Sequence, residues 1–274
     1  SRNGHMVAFS DGQGGLSDFN IGHEEYPEYH KDAQSGKIAI LGPGDTSHFN
    51  IQYKNMHSTG NCVDFGHTIG IRRHAGVGSD KTTAVFLGGY DPSAYTNDIE
   101  TVIFSSKGNA AVWGDLTTAS NHSASMGNST RCLRNDGLAP GNVTVDFITW
   151  ATKGNAVDFG DTSVNRGQAG GGADATRGYL YGGATGPSEL ASIDYFTIAS
   201  TGNATDFGDI GSGAQSNAQG GSSTTRGVHG GGYNGSYQKE NTISYITIQT
   251  TGDSTDFGDL TVARADQAGA SNGI

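Results

Sequence analysis

The chain has 274 residues with a formal charge of −11, 34% hydrophobic and 16% charged residues, 45 glycines and five prolines. Glycine at roughly twice its usual share of about 7%, without a G-X-Y period, excludes collagen, and the low charge content excludes an acidic disordered chain. The acidic balance and the lack of an 18-residue apolar run argue against a nucleic-acid backbone, an anionic membrane surface or membrane insertion.

Taken from the start, the chain opens Ser1-Arg-Asn-Gly with no initiator Met and no signal-peptide pattern, so a processed, engineered or trimmed terminus is expected. Ser17-Asp18-Phe19 is the first trace of a recurring phrase. Fuller copies follow at Gly60–Gly66 (GNCVDFG), Gly108–Asp115 (GNAAVWGD), Gly154–Asp161 (GNAVDFGD), Gly202–Asp209 (GNATDFGD) and Gly252–Asp259 (GDSTDFGD). Its aromatic residue falls at Phe19, Phe65, Trp113, Phe159, Phe207 and Phe257, at intervals of 46 to 50 residues. That is the length of one four-stranded propeller blade, so residues 1–274 read as a single β-propeller domain with blades ending near those positions.

Each unit repeats its internal order. Small-residue stretches (His74–Ser79, Gln168–Ala173, Gln267–Asn272) suit the crowded innermost strand. A strand ending in paired glycines comes next (Ala84–Tyr90, Gly178–Gly183, Gly227–Tyr233), then a β-branched and aromatic strand (Ile99–Phe104, Val143–Trp150, Ile193–Ile198, Ile243–Ile248). The Gly-Asn or Gly-Asp pair predicts a hairpin into the outermost, Asp-Phe-Gly strand. One large side chain per unit suits the wedge between blades, so the recurring aromatic is expected in the core, and the phrase's carboxylates are expected to cap turns. The 37 residues left at the two ends read head to tail as a shortened sixth blade, the C-terminus giving its inner strand and the N-terminus its outer ones. The expected architecture is an all-β, six-bladed ring with that closure; a five-bladed ring with a loose N-terminal arm is the alternative.

The unit 84–116, with Ala84-Val-Phe-Leu-Gly-Gly-Tyr-Asp91, Asn97–Phe104 and Ala111-Val-Trp-Gly-Asp-Leu116, resembles the kelch repeat. The resemblance runs over nearly the whole chain. The double glycine is missing at Leu41-Gly-Pro43 and Leu133-Arg-Asn135, and the family tryptophan stands only at Trp113. The wording of Tyr195–Asp209 looks like kelch-like arrays in tail and other structural proteins of bacteriophages, marine and cyanobacterial ones above all. That resemblance implies a virion component or adhesin.

The residues carry little chemistry. Cys62 and Cys132, in no metal-ligand spacing, read as unpaired thiols, with a disulfide as the alternative. His23, His30, His67 and His74 form no HExxH or His-x-His pattern and read as loop histidines, and the phrase's carboxylates are spread one per blade. There is no Gly-x-Ser-x-Gly elbow, and Ser10-Asp-Gly-Gln does not fit a sialidase-type box, so no catalytic residue, metal or cofactor is expected. The irregular loops after the double glycines are the candidate binding surface: Tyr90, Asp91, Tyr95 and Asn97 in one, Tyr233, Asn234 and Tyr237 in another. Tyrosine among Asn, Asp and Ser suits stacking on sugars and adaptable protein contacts. The expected function is a non-enzymatic virion structural protein or adhesin in the tail, otherwise extracellular. Its expected partners are other virion proteins, a host-surface glycan or protein, and further copies of itself. A soluble lectin-like or kelch-type interaction module is the alternative.

Overall fold

A computed structural model describes residues 6–9, 38–42, 49–55, 58–80, 82–91, 93–137, 143–186 and 188–266. These form five four-stranded antiparallel sheets, the blades of a β-propeller. Blade 1 holds β1 (Met6–Phe9), β2 (Ile38–Gly42), β3 (Asn50–Asn55) and β4 (Val63–His67). Blade 2 holds β5 (Gly76–Ser79), β6 (Thr83–Tyr90), β7 (Tyr95–Ile103) and β8 (Ala111–Asp115), and blade 3 β9 (Ser125–Gly127), β10 (Arg131–Asn135), β11 (Thr144–Thr149) and β12 (Thr152–Asp161). Blade 4 holds β13 (Gly170–Ala173), β14 (Arg177–Tyr181), β15 (Ser192–Thr197) and β16 (Thr205–Asp209). A short strand, β17 (Gln215–Ser216), precedes blade 5, which holds β18 (Gln219–Ser222), β19 (Arg226–Gly230), β21 (Thr242–Thr247) and β22 (Thr255–Asp259); β17 pairs with β20 (Tyr233–Asn234).

The expected count of six blades is therefore corrected to five among the described residues. Met6–Phe9, assigned from the sequence to the outer part of a shared sixth blade, is the innermost strand of blade 1 and pairs with Ile38–Gly42. Phe19, His23, His30 and the tail stretch Gln267–Asn272 lie outside the described residues.

The recurring phrase has a backbone cause. In each blade the third and fourth strands pair with one residue too many on the fourth: Ile193 faces Gly208 and Asp194 faces Asp206, leaving Phe207 bulged between them. The same slip isolates Phe65, Trp113, Phe159 and Phe257. A bulge turns its side chain out of the alternating pattern, here into the wedge between blades. There each phenylalanine meets a third-strand aromatic edge-on, as Phe207 does Tyr195 at 6.1 Å. Phe65, Trp113, Phe159 and Phe207 are buried as expected. Phe257 is not; it is 54% exposed.

In blades 1, 2, 4 and 5 the Gly-Asn or Gly-Asp pair lies, as expected, in the connection between the third and fourth strands, its glycine at positive φ. In blade 3 Gly154 and Asn155 lie inside β12, past the turn at 150–151. The pair also docks on the preceding blade. Gly202 N donates to Phe159 O and Ala204 N to Asp161 O, both at 2.7 Å, while Asp161 N donates to Asn203 Oδ1 at 3.1 Å. Blades 1 and 2 are joined through Gly108, Asn109 and Ala110 in the same way, and blades 4 and 5 through Gly252, Asp253 and Ser254. Blade 3 meets blade 2 through Asn155, whose Oδ1 accepts from Asp115 N at 3.0 Å. The turn-capping oxygen at the phrase thus comes from the next blade's Asn or Asp; within a phrase, Asp256 Oδ1 accepts from Gly258 N.

Candidate binding face

The paired glycines direct the chain to one face. Gly88 and Gly89 have φ of +62° and +113°, a conformation costly for any residue with a Cβ. A Cβ on Gly89 would meet the Arg73 carbonyl at 2.9 Å. The bend brings Tyr90 alongside Arg73, and their backbones exchange two hydrogen bonds. Gly232 makes the equivalent approach in blade 5, where a Cβ would meet the Ser216 carbonyl at 2.5 Å; its N–H donates to Arg264 O at 2.8 Å, and β20 places Tyr233 opposite Ser216.

Arg73 and Ser216 each precede a residue held at left-handed φ on entry to an innermost strand. These residues are His74, His122, Gln168 and Asn217, with φ between +54° and +57°, and Asp266 has the same φ of +57°. The first four form a backbone chain from blade to blade: His122 N donates to His74 O, Gln168 N to His122 O and Asn217 N to Gln168 O, at 2.8–2.9 Å. His74 and His122 stack with ring centroids 4.0 Å apart. Burial, then the neighbouring His74 and Arg73, pushes His122 down to about 3; burial and Arg73 lower His74 as well, against the opposing pull of Asp266. Both rings are neutral at neutral pH. Buried polar atoms of this pair and its chain neighbours lack a protein partner, Arg73 Nε, Asn121 Oδ1, His122 Nδ1 and Ser123 Oγ, as does Ser216 Oγ beside blade 5. Buried polar atoms of this kind are places where ordered water completes the hydrogen bonding.

The candidate tyrosines flank this array. Tyr90 and Tyr95 meet edge to face at 5.5 Å, with the Arg73 guanidinium 4.4 Å over the Tyr90 ring. Tyr233 and Tyr237 stack at 4.5 Å, and the Tyr233 hydroxyl donates to Asp266 Oδ2 at 3.1 Å. Desolvation and the Asp266 charge raise the Tyr233 phenol, so it stays a donor. Tyr95 and Tyr237 are exposed. Asp91 and Asn234 serve their own loops, and Asn97 in β7 ties to the end of β8. Asp91 Oδ1 accepts from the Ser93 hydroxyl and the N–H groups of Ser93 and Ala94, which lowers its pKa. Asn97 O accepts from Leu116 N, and Asn234 Oδ1 accepts from Ser236 N and Gln238 N.

Three buried carboxylates, Glu100, Asp146 and Asp194, are bonded within the fold. Glu100 and Asp194 sit next to the bulges, pair with Arg72 at 2.6 Å and Arg166 at 3.1 Å, and accept from Ile69 N and Ser163 N of the preceding blade's exit loop. Asp146 accepts from Thr117 in the same manner, with Arg134 3.9 Å away. In blade 5 Ser244 holds this position and Gln215 that of the arginine, and a pocket of about 330 Å³ opens beside Gly211, Ser244, Ser254 and Asp256. Cys62 and Cys132 are free thiols, and no group of three or more His, Cys, Asp or Glu among the described residues is placed to hold a metal.

No family model matches the chain, and no curated protein does. Among solved structures it is similar to that of YjhT, with a TM-score of 0.68 over 85% of this chain and 84% of that one, at 9% sequence identity. A likeness at that identity concerns the propeller fold alone.

Proposed function

We propose that this protein is a non-enzymatic recognition component of a bacteriophage particle, in the tail or its fibres, whose axial face binds a glycan on the host surface. The observation that supports it is the convergence of two tyrosine pairs, Tyr90–Tyr95 and Tyr233–Tyr237, on the one array of His74, His122 and Asp266. Aromatic faces stack on the apolar side of a sugar ring, while phenols, amide oxygens and a guanidinium meet its hydroxyls. The carboxylates nearest the core are engaged by arginines or backbone N–H groups, which fits a scaffold role better than acid–base work.

The particle assignment leans on the kelch-like repeat wording and its resemblance to phage structural proteins. The same face fits a soluble lectin-like or kelch-type module, and the two readings part on where the protein is found. Mass spectrometry of purified virions recovers the chain if it is a particle component. Its absence there, with glycan binding retained, selects the soluble module.

A further inference from the structure

We infer that the pocket between blades 4 and 5 is a binding site for one neutral sugar ring, separate from the tyrosine face. The other blades show what ordinarily fills this place. In blades 2, 3 and 4 a carboxylate on the third strand, Glu100, Asp146 or Asp194, accepts the backbone N–H of the chain leaving the preceding blade: Ile69, Thr117 or Ser163. An arginine stands beside each, Arg72, Arg134 or Arg166. The chain thus plugs its own inter-blade gap with opposite charges.

Blade 5 has neither charge. Ser244 stands in the carboxylate's place, and Gln215 in that of Arg72 and Arg166, its Nε2 donating to Ser212 Oγ at 3.2 Å. The exit N–H, here that of Gly211, donates to Ser254 Oγ at 3.0 Å, where blades 2, 3 and 4 have Ala110, Ala156 and Ala204. A Cβ on Gly211 would meet the Ser254 carbonyl at 2.6 Å, so that residue offers no side chain to fill the space. What results is the pocket of about 330 Å³, with Gly211 and Ser212 on one side and Thr242, Ser244, Asp256 and Asp259 on the other. Its floor is a buried hydroxyl network: the Tyr181 hydroxyl bonds Ser244 Oγ and lies 3.4 Å from Ser254 Oγ.

These residues select the guest. Serine and threonine hydroxyls both donate and accept, while the two carboxylates only accept. A ring bearing several hydroxyl groups satisfies all of them, whereas an anion is repelled by Asp256 and Asp259 and an apolar group strands the serines. The carboxylates do not set blade 5 apart, since Asp158 with Asp161 and Asp206 with Asp209 hold the same positions in blades 3 and 4. The serines and the space do. The volume is at the lower end of ligand sites, about 300–1,000 Å³, which suits a single ring. The site stands on the comparison of blades, and the tyrosine face takes no part in it.

The test is a nuclear magnetic resonance titration of the isotope-labelled full chain with the methyl glycosides of glucose, galactose, mannose and N-acetylglucosamine, to tens of millimolar. A lone ring held by polar contacts binds at about millimolar strength, which shows in solution and is lost in the washing of an array. The expected result is saturable movement of the Gly211 and Ser212 amide signals with at least one glycoside, retained when Tyr90→Ala and Tyr233→Ala are combined. Thr242→Arg, which sets a guanidinium opposite Asp259 and fills the space, is expected to abolish it, and Asp259→Asn to weaken it about tenfold. Melting temperatures near that of the wild type show that both variants fold. Signals that stay still with every glycoside, that move as much in both variants, or that answer methylammonium and no glycoside overturn the inference. Movement confined to the Tyr90 and Tyr233 loops overturns it too and leaves the face reading standing; movement at Gly211 and Ser212 alone supports it and counts against the face.

Discussion

The side-chain oxygen of Asn203 accepts a hydrogen bond from the backbone N–H of Asp161, 42 positions earlier and one blade away. That bond, with two backbone bonds beside it, fastens blade 4 to blade 3. Asn203→Ala is expected to lower stability by about 1 kcal/mol, the net worth of one such bond. Gly160→Ala is expected to cost more, on the order of 3 kcal/mol, because the new Cβ strikes the Gly202 carbonyl and the residue is held at φ +145°. Gly258→Ala has comparable φ but open space, so it isolates the conformational share, about 1 kcal/mol. Urea melts of the three variants measure the order.

Arg166 and Asp194 are both buried and hold the exit of blade 3 to blade 4. Asp194→Ala strands a buried guanidinium and is expected to destabilise by about 3–5 kcal/mol. The double variant Arg166→Met with Asp194→Leu is expected to recover much of that loss, since it removes both charges. Thermal melts of the single and double variants decide between a pair held for mutual compensation and one that contributes strongly by itself.

Acid should loosen the fold through its buried imidazoles. Burial lowers His229 to about 4, below its ordinary value of 6.5, and His122 to about 3. A depressed histidine means that the unfolded chain takes up the proton first, so stability is full above pH 6.5 and falls as pH drops towards the folded values. Between pH 7 and 4.5 each ring contributes a loss of about 2 kcal/mol. His122→Gln is expected to flatten the melting-temperature profile in that window, and an unchanged slope would show that other groups set it.

The repeat, the all-β class and the small-residue inner strands were legible because blade geometry imposes one residue type at one spacing: Gly76–Ser79 and Gly170–Ala173 are innermost strands as expected. The blade count was not legible, because Met6–Phe9 has the composition of any strand and only its partner shows whether it is inner or outer. The burial of Phe257 was misjudged for a related reason. Its local sequence matches Phe207, but burial needs a following blade, and among the described residues none packs on Phe257. Of the face, the tyrosine pairs were legible as irregular loops. The array of His74, His122, Gln168, Asn217 and Asp266 was not, since those positions share a backbone angle and not a residue type. A partial signal existed in the arginine two residues before His74, Gln168 and Asp266.

The claim that the axial face is a glycan-binding surface is tested most directly by a glycan array read with the wild type, Tyr90→Ala, Tyr233→Ala and the double variant. The account predicts saccharide binding by the wild type that weakens about tenfold or more in each single variant, some 1.4 kcal/mol or more apiece, without a change in melting temperature. Binding that survives in the double variant, or a wild type that binds no saccharide, would contradict it.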